Sequence, residues 1–299
     1  MATFVEGPVQ VTVPATSANL GPGYDSLGLA LALRDRLTGQ VTGSGLRVEV
    51  TGEGADDVPR TTEHLVVRAM HAAFDEMGER PPGISLRCDN AVPHARGLGS
   101  SSAAIAGGVA LARALVAGGR LLLDDDAAFR LAARLEGHPD NVAPAWYGGF
   151  VVSGRDEAEF WAVPASLDPR VSAFVFVPPT PLSTEQARRL LPATVPHADA
   201  AANAGRTALL VAALGGQPEH LHRATRDWLH QDYRRPVMPA SLELVDRLRR
   251  HGVAAVVSGA GPTVLALCAG DAAEELRRHV PEGWRARRVE VDRDGVRVG

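Results

Sequence analysis

The chain moves between two hydrophobic periods. Apolar residues recur at every second position in "VQVTVPATS" and "LRVEVTGEG", as in half-buried strands, and "ISLRCDNAVP" predicts a third strand. Residues 63–77 carry helical spacing that Gly78 and the pair Pro81–Pro82 bring to a stop. An alanine-rich stretch from Ser100 to about Ala117 predicts a buried helix. Another opens at Asp124–Asp126, whose carboxylates suit a helix N-terminus, and runs to about Glu136. "GGFVVSG" and "EFWAVPA" predict a returning hairpin.

Near Ser166–Arg170 the pattern restarts. Strand "VSAFVFVP" leads to helices around residues 184–191, 198–214, 220–229 and 242–251. Strands "AAVVSGAG" and "TVLALCAG", a helix over 272–279 and the closing "RARRVEVDRDGVRV" complete the chain. Strands and helices mixed in both halves predict an α+β protein of two lobes, divided as residues 1–165 and 166–299. No repeat of fixed period is present, which argues against a solenoid.

Composition narrows the class. Hydrophobic residues at 45% and charged residues at 22% describe an ordinary globular chain. A net charge of −4 argues against nucleic acid or an anionic membrane surface as partner. No apolar run approaches the roughly 20 residues of a membrane helix. "MATFVEGPVQ" lacks the pattern of a signal peptide, and Cys88 and Cys268 alone suggest no disulfide framework, so a cytoplasmic location is expected. There is no lysine: all 31 basic residues are arginine. A lysine phosphate clamp, a Schiff base and a lysine general base are therefore excluded. Phosphate chemistry here falls to backbone N–H groups, hydroxyls, arginine and a metal ion.

Such chemistry has a candidate seat. In "RGLGSSSAAIAGG", Arg96 to Gly108, a glycine–serine turn opens into the alanine-rich helix, and the N-terminus of a helix is a natural anion site. Glycines let a backbone approach phosphate, and serine hydroxyls can bond its oxygens or ligate Mg²⁺. A flexible turn before a packed helix fits this segment equally well. Two further turns shift the balance: "PATSANLGPGYDSLGLAL", Pro14 to Leu31, and "SGAGPT", Ser258 to Thr263.

Taken with "EGHPDNVAPAWYGG", these motifs resemble the GHMP small-molecule kinases over essentially the whole chain. The resemblance implies a ribosomal-protein-S5-domain-2-like N-terminal lobe that binds ATP and a ferredoxin-like C-terminal lobe. It implies ATP and Mg²⁺ as cofactors. The asparagine-rich first motif and "HPDNVAP" resemble the branch of the family that phosphorylates the hydroxyl of L-homoserine in threonine biosynthesis. Relatives are commonly homodimers. A kinase of the same fold with a mevalonate-like or sugar acceptor, or a nucleotide-binding homologue without turnover, stays open as an alternative.

Position by position, the resemblance implies that Pro93, Arg96, Gly97, Leu98, Gly99, Ser100, Ser101, Ser102 and Ala103 form the phosphate loop. Ser101 and Glu136 match the metal ligands, Glu136 with a shorter spacer before the histidine than the family often has. His64 stands where the family commonly has asparagine beside the adenine. Homoserine is zwitterionic, so its site needs a cation and an acceptor. The resemblance gives the carboxylate to Arg188 and Arg234, with Thr184 and Gly261 nearby. It gives the ammonium and hydroxyl to Asn19, Asp25 and Asn141, with His138 lining the pocket. By themselves Arg188 and Arg189 read as solvated charges on a helix. His220, His222 and His230 do not read as a metal site. Some GHMP kinases place an aspartate base where Asn141 stands, which implies direct in-line transfer without an essential base, Asp140 being the residue that could overturn this.

Overall fold

The computed structural model describes residues 3–157, 159–270 and 272–299. In chain order the first half holds β1 (Val9–Ala18), β2 (Leu27–Thr42), β3 (Gly45–Gly52), α1 (Leu65–Glu76), β4 (Gly83–Asn90) and α2 (Ser100–Leu115). The short α3 (Gly119–Leu122), α4 (Asp125–Glu136), α5 (Val142–Tyr147), β5 (Phe150–Asp156) and β6 (Glu159–Ala165) follow. The second half holds β7 (Val171–Val177), α6 (Thr184–Arg188), α7 (His197–Gly215), α8 (Leu221–Ala224), α9 (Pro239–Arg250), β8 (Ala254–Val257), β9 (Val264–Ala269), α10 (Ala273–Arg277), β10 (Arg285–Val289) and β11 (Arg297–Val298).

Two sheets result. The first runs β11-β1-β2-β4-β3, with β5 on β2 and β6 on β5. Strand β2 is long enough to serve two neighbours: its first residues pair with β5 and its later ones with β4. Its register with β1 shifts at Pro14, which has no N–H to give to a ladder. The second sheet runs β10-β7-β9-β8, all antiparallel. The chain leaves the first sheet at Ala165, enters the second at Val171, and returns through β11 to pair with β1. This α+β architecture of two lobes is the one the sequence pattern implies.

Strands β7, β8 and β9 of the second sheet are almost continuously apolar because both faces are covered, whereas the edge strand β10 carries Arg285, Arg287 and Arg288. Ala173, Val175 and Val177 of β7 face one core, while Phe174 and Phe176 face the other. The first of these cores also takes Leu20, Leu27, Leu29, Val92, Leu98 and Phe150 from the N-terminal lobe. One continuous apolar cluster therefore joins the lobes beneath their glycine-rich turns.

The segment expected as a helix over 220–229 breaks early. A 3-10 turn at Pro218–His220 leads into α8, which stops at Ala224. The Thr225 hydroxyl donates to the Leu221 carbonyl, and the Asp227 carboxylate accepts the N–H groups of Leu229, His230 and Gln231. These side-chain bonds offer the backbone an alternative to helix. The resulting turn brings His230 and Arg234 beneath the first glycine-rich motif.

Leu29 is fully buried in the cluster that joins the lobes. Leu29→Ala should cost about 2–5 kcal/mol in denaturant unfolding. Leu121→Ser, at a side chain 92% exposed, should change stability by less than about 0.5 kcal/mol in the same measurement.

Candidate active site

The glycine–serine turn is shaped by what surrounds it. Gly97 and Gly99 both lie in the left-handed region, at φ 72° and 70°. A Cβ on Gly99 would sit 2.0 Å from Thr16 Oγ1, and one on Gly97 2.3 Å from the Ser258 carbonyl. Between them Leu98 is buried and its carbonyl accepts the Thr16 N–H, anchoring the turn to β1. Helix α2 starts at Ser100 with no side-chain cap, so its first N–H groups are left for a ligand. Pro93 and Ala103 are buried on either side of the loop. Arg96 is turned elsewhere: its guanidinium donates to the carbonyls of His94, Pro178 and Pro179, tying the loop to the end of β7.

Glu136, the last residue of α4, reaches the start of α2. One of its oxygens, Oε1, accepts from Ser101 Oγ at 2.6 Å and Ser102 Oγ at 2.8 Å. Gly137, at φ 91°, ends α4 and turns the chain into the histidine motif. There His138 Nδ1 lies 2.8 Å from Asp140 Oδ1, and its Nε2 4.0 Å from Glu136 Oε1. Burial pulls the His138 pKa down, but the bond and charge of Asp140, with the charge of Glu136, outweigh it and leave it above the ordinary histidine value. Asn141 opens α5 and its Oδ1 accepts the Thr16 hydroxyl at 2.8 Å.

The opposite wall comes mainly from the second half of the chain. Arg188, at the end of α6, donates to both oxygens of Asp25, at 2.7 and 3.1 Å, and to the Tyr24 hydroxyl at 2.9 Å. The expected cation and the expected acceptor are thus each other's partner. Arg234 is buried, with Nη1 3.1 Å from the Gly259 carbonyl and, among the described residues, no partner for its Nε. Asn19, at φ 67°, gives its amide N–H to the Gly259 carbonyl and accepts the Asp25 N–H. Its side chain therefore holds two turns together.

These walls enclose a cavity of about 260 Å³. Gly97, Gly99, Ser100, Ser101 and Glu136 line one side, and Asn19, Thr184, Arg188 and Arg234 the other, with His138, Asp140 and Asn141 also on its wall. Gly259 and Ala260 line it, whereas Gly261 packs behind Gly97. Ser100 and Ser101 also wall a neighbouring, more apolar cavity of about 200 Å³, lined too by His64, whose Nδ1 has no partner among the described residues. A larger cavity of about 720 Å³ lies at the other end of α2, around Arg113 and Trp146, and contains none of the expected site residues. The four motifs meet at the cavity of about 260 Å³. Sequence reasoning passed over Thr16 and Tyr24, both inside the first motif, where their neighbours carried the family signal. It also missed His230, for which no periodicity or motif gave a sign.

Residues 64–149 match the GHMP kinases N terminal domain, and residues 209–286 the GHMP kinases C terminal. The chain belongs to the GHMP kinase family, whose members use ATP and Mg²⁺. Within that family it is similar to the homoserine kinase of Streptomyces coelicolor, at 50% identity over 295 residues, 99% of this chain and 96% of that one. It is also similar to the homoserine kinase of Mycolicibacterium paratuberculosis, 50% identical over 265 residues, 87% of this chain and 84% of that one. In fold it resembles the crystal structure of homoserine kinase from Cytophaga hutchinsonii, at TM-score 0.84 and 23% identity, covering 100% of this chain and 99% of that one.

Gly99→Ala introduces both backbone strain and a clash with Thr16. It should lower turnover by about 100-fold or more, about 2.7 kcal/mol in the barrier, in a steady-state kinase assay.

Proposed function

We propose that the cavity binds ATP and L-homoserine side by side and transfers the γ-phosphoryl group to the homoserine hydroxyl, giving O-phospho-L-homoserine. The observation that carries this reading is the Arg188–Asp25 pair, with Arg234 on the same wall. A zwitterion offers a carboxylate to the arginines and an ammonium to Asp25, so it replaces both partners at once. A ligand with one charge leaves the other half of the pair unmatched, which is costly in a half-buried site. The homoserine kinases among its relatives support the same acceptor. On the family resemblance the enzyme acts as a cytoplasmic homodimer in threonine biosynthesis.

The loop Gly97–Ser102 would receive the triphosphate on its N–H groups and the α2 dipole, and the cavity beside His64 the base. Ser101, Ser102 and Glu136 form a hydroxyl and carboxylate set of the kind that suits Mg²⁺, which binds through one or two carboxylates plus phosphate oxygens. Ser101 and Glu136 are the residues that would hold it. When bound, Mg²⁺ neutralises charge on the phosphate oxygens.

Asn141 and His138 orient the acceptor hydroxyl, with Asn141 held by Thr16 and His138 by Asp140. Asp140 is thus committed to the imidazole. Phosphoryl transfer passes through a loose transition state, so orientation and charge neutralisation supply most of the acceleration.

The reading is tested by ADP release with Mg-ATP and L-homoserine, beside mevalonate, L-serine, shikimate and galactose. Homoserine should be turned over. 4-Hydroxybutyrate, which lacks the ammonium, and 3-aminopropanol, which lacks the carboxylate, should each lose at least about 30-fold in kcat/KM. Turnover with a different acceptor would replace homoserine in the site, and silence with all of them despite ATP binding would make the chain a nucleotide-binding homologue. Asp140→Asn should lower kcat by less than about 100-fold, the lower bound for losing a general base. A fall of several orders of magnitude with intact substrate binding would make Asp140 the base.

A further inference from the structure

We infer that His230 is the positioning residue for the Arg234 guanidinium and, through it, for the substrate carboxylate, an inference that rests on the homoserine reading above. His230 is fully buried. Its Nε2 lies 2.7 Å from the Gly21 carbonyl, which can only accept, so Nε2 carries the proton and Nδ1 keeps a lone pair. Arg234 Nη1, which can only donate, lies 3.0 Å from that Nδ1. The two bonds together select one tautomer and the neutral ring. They also join two distant segments. Gly21 belongs to the turn that carries Asn19, Tyr24 and Asp25, and a Cβ on it would stand 2.5 Å from the Thr225 carbonyl. That turn therefore sits directly on the segment that holds His230.

The guanidinium is held at one nitrogen by His230 and Gly259, while its Nε has no partner among the described residues. A buried cation fixed at one corner and under-satisfied at another is suited to a ligand anion. Tyr24 completes the arrangement. Its ring lies 5.3 Å from the imidazole, and the guanidinium carbons of Arg188 and Arg234 each lie 5.7 Å from its centroid. Both arginines that face the substrate are thus referred to one aromatic ring.

The charged groups facing His230 are Arg234, Asp227, whose Oδ1 is 3.7 Å from Nε2, and Asp25, with Tyr24 packed alongside. Burial, with Arg234, holds the imidazole below the ordinary histidine value against the opposing pull of Asp227, the Gly21 carbonyl and Asp25. It is neutral at pH 7. Protonation at acidic pH converts Nδ1 from acceptor to donor and sets a second cation against Arg234.

The test is steady-state kinetics of the wild-type enzyme, His230→Phe and His230→Asn from pH 5 to 8, with thermal melting of each. His230→Phe fills the space without an acceptor and should raise the homoserine KM by roughly 10- to 100-fold, the loss of one hydrogen bond to a charged group. The ATP KM and kcat should stay within about threefold. His230→Asn, whose Oδ1 can accept in place of Nδ1, should recover most of the affinity. The homoserine KM of the wild type should climb as pH falls below the ordinary histidine range. That of His230→Asn, which cannot take the proton, should climb less, with His138 common to both.

A folded His230→Phe with an unchanged homoserine KM, or one that raises both KM values alike, would reduce His230 to packing. If His230→Phe does not fold, His230→Leu takes its place, and a folded His230→Leu with the same homoserine KM as His230→Asn overturns the inference. Wild-type enzyme without activity on homoserine would instead overturn the substrate reading.

Discussion

The site depends on the backbone of Gly259, which joins the two lobes. Its N–H donates to the Ala18 carbonyl, and its own carbonyl accepts from Asn19, 240 residues away in the chain, and from Arg234. One residue earlier, the Ser258 hydroxyl lies within hydrogen-bond distance of Ser17 Oγ and the Gly97 carbonyl. Three glycine-rich turns meet there and exchange these hydrogen bonds in a buried setting, where an unpaired polar group is costly. The apolar cluster underneath supplies the cohesion that these exchanges of hydrogen bonds do not. Residues carrying side chains at Gly97 or Gly99 would force the turns apart.

Charge is the second constraint. Without lysine, every permanently charged cationic side chain lining the cavity is a guanidinium, rigid and planar. Two of them face one small space, an arrangement that repels unless something compensates. Asp25 and the Tyr24 hydroxyl do so for Arg188, and the Gly259 carbonyl and the neutral ring of His230 do so for Arg234. The protein thus keeps the cations in place before any ligand arrives. Preorganisation of this kind lowers the ordering cost of binding.

Across the cavity the same economy appears with the opposite sign. Glu136 places a carboxylate near the positive end of α2, and two serine hydroxyls bind one of its oxygens. Helices α2 and α4 start and stop where these groups need to be, since Gly99 opens one and Gly137 closes the other, both in left-handed conformations. The glycine–serine loop and the cluster of Ser101, Ser102 and Glu136 are therefore set by helix termini rather than by flexible surface segments.

Much of this was legible in the chain itself. The strand and helix periods, the glycine turns, the stop at Gly137 and the aspartate cap of α4 are local properties, written in residues a few positions apart. The motifs around Asn19, Ser101, Glu136 and Arg188 carried the family resemblance for the same reason. What the tertiary structure decided was how these groups spend their bonds. Arg188 closes on Asp25, Asn19 holds turns together, and Arg96 faces away to backbone carbonyls. His230 gains its place only because Asp227 and Thr225 end α8 and the Gly21 turn settles on them. Sequence spacing determines which residues share a face or a turn. Which donor meets which acceptor across 200 residues is set by burial, where each polar group takes the partner that packing leaves within reach.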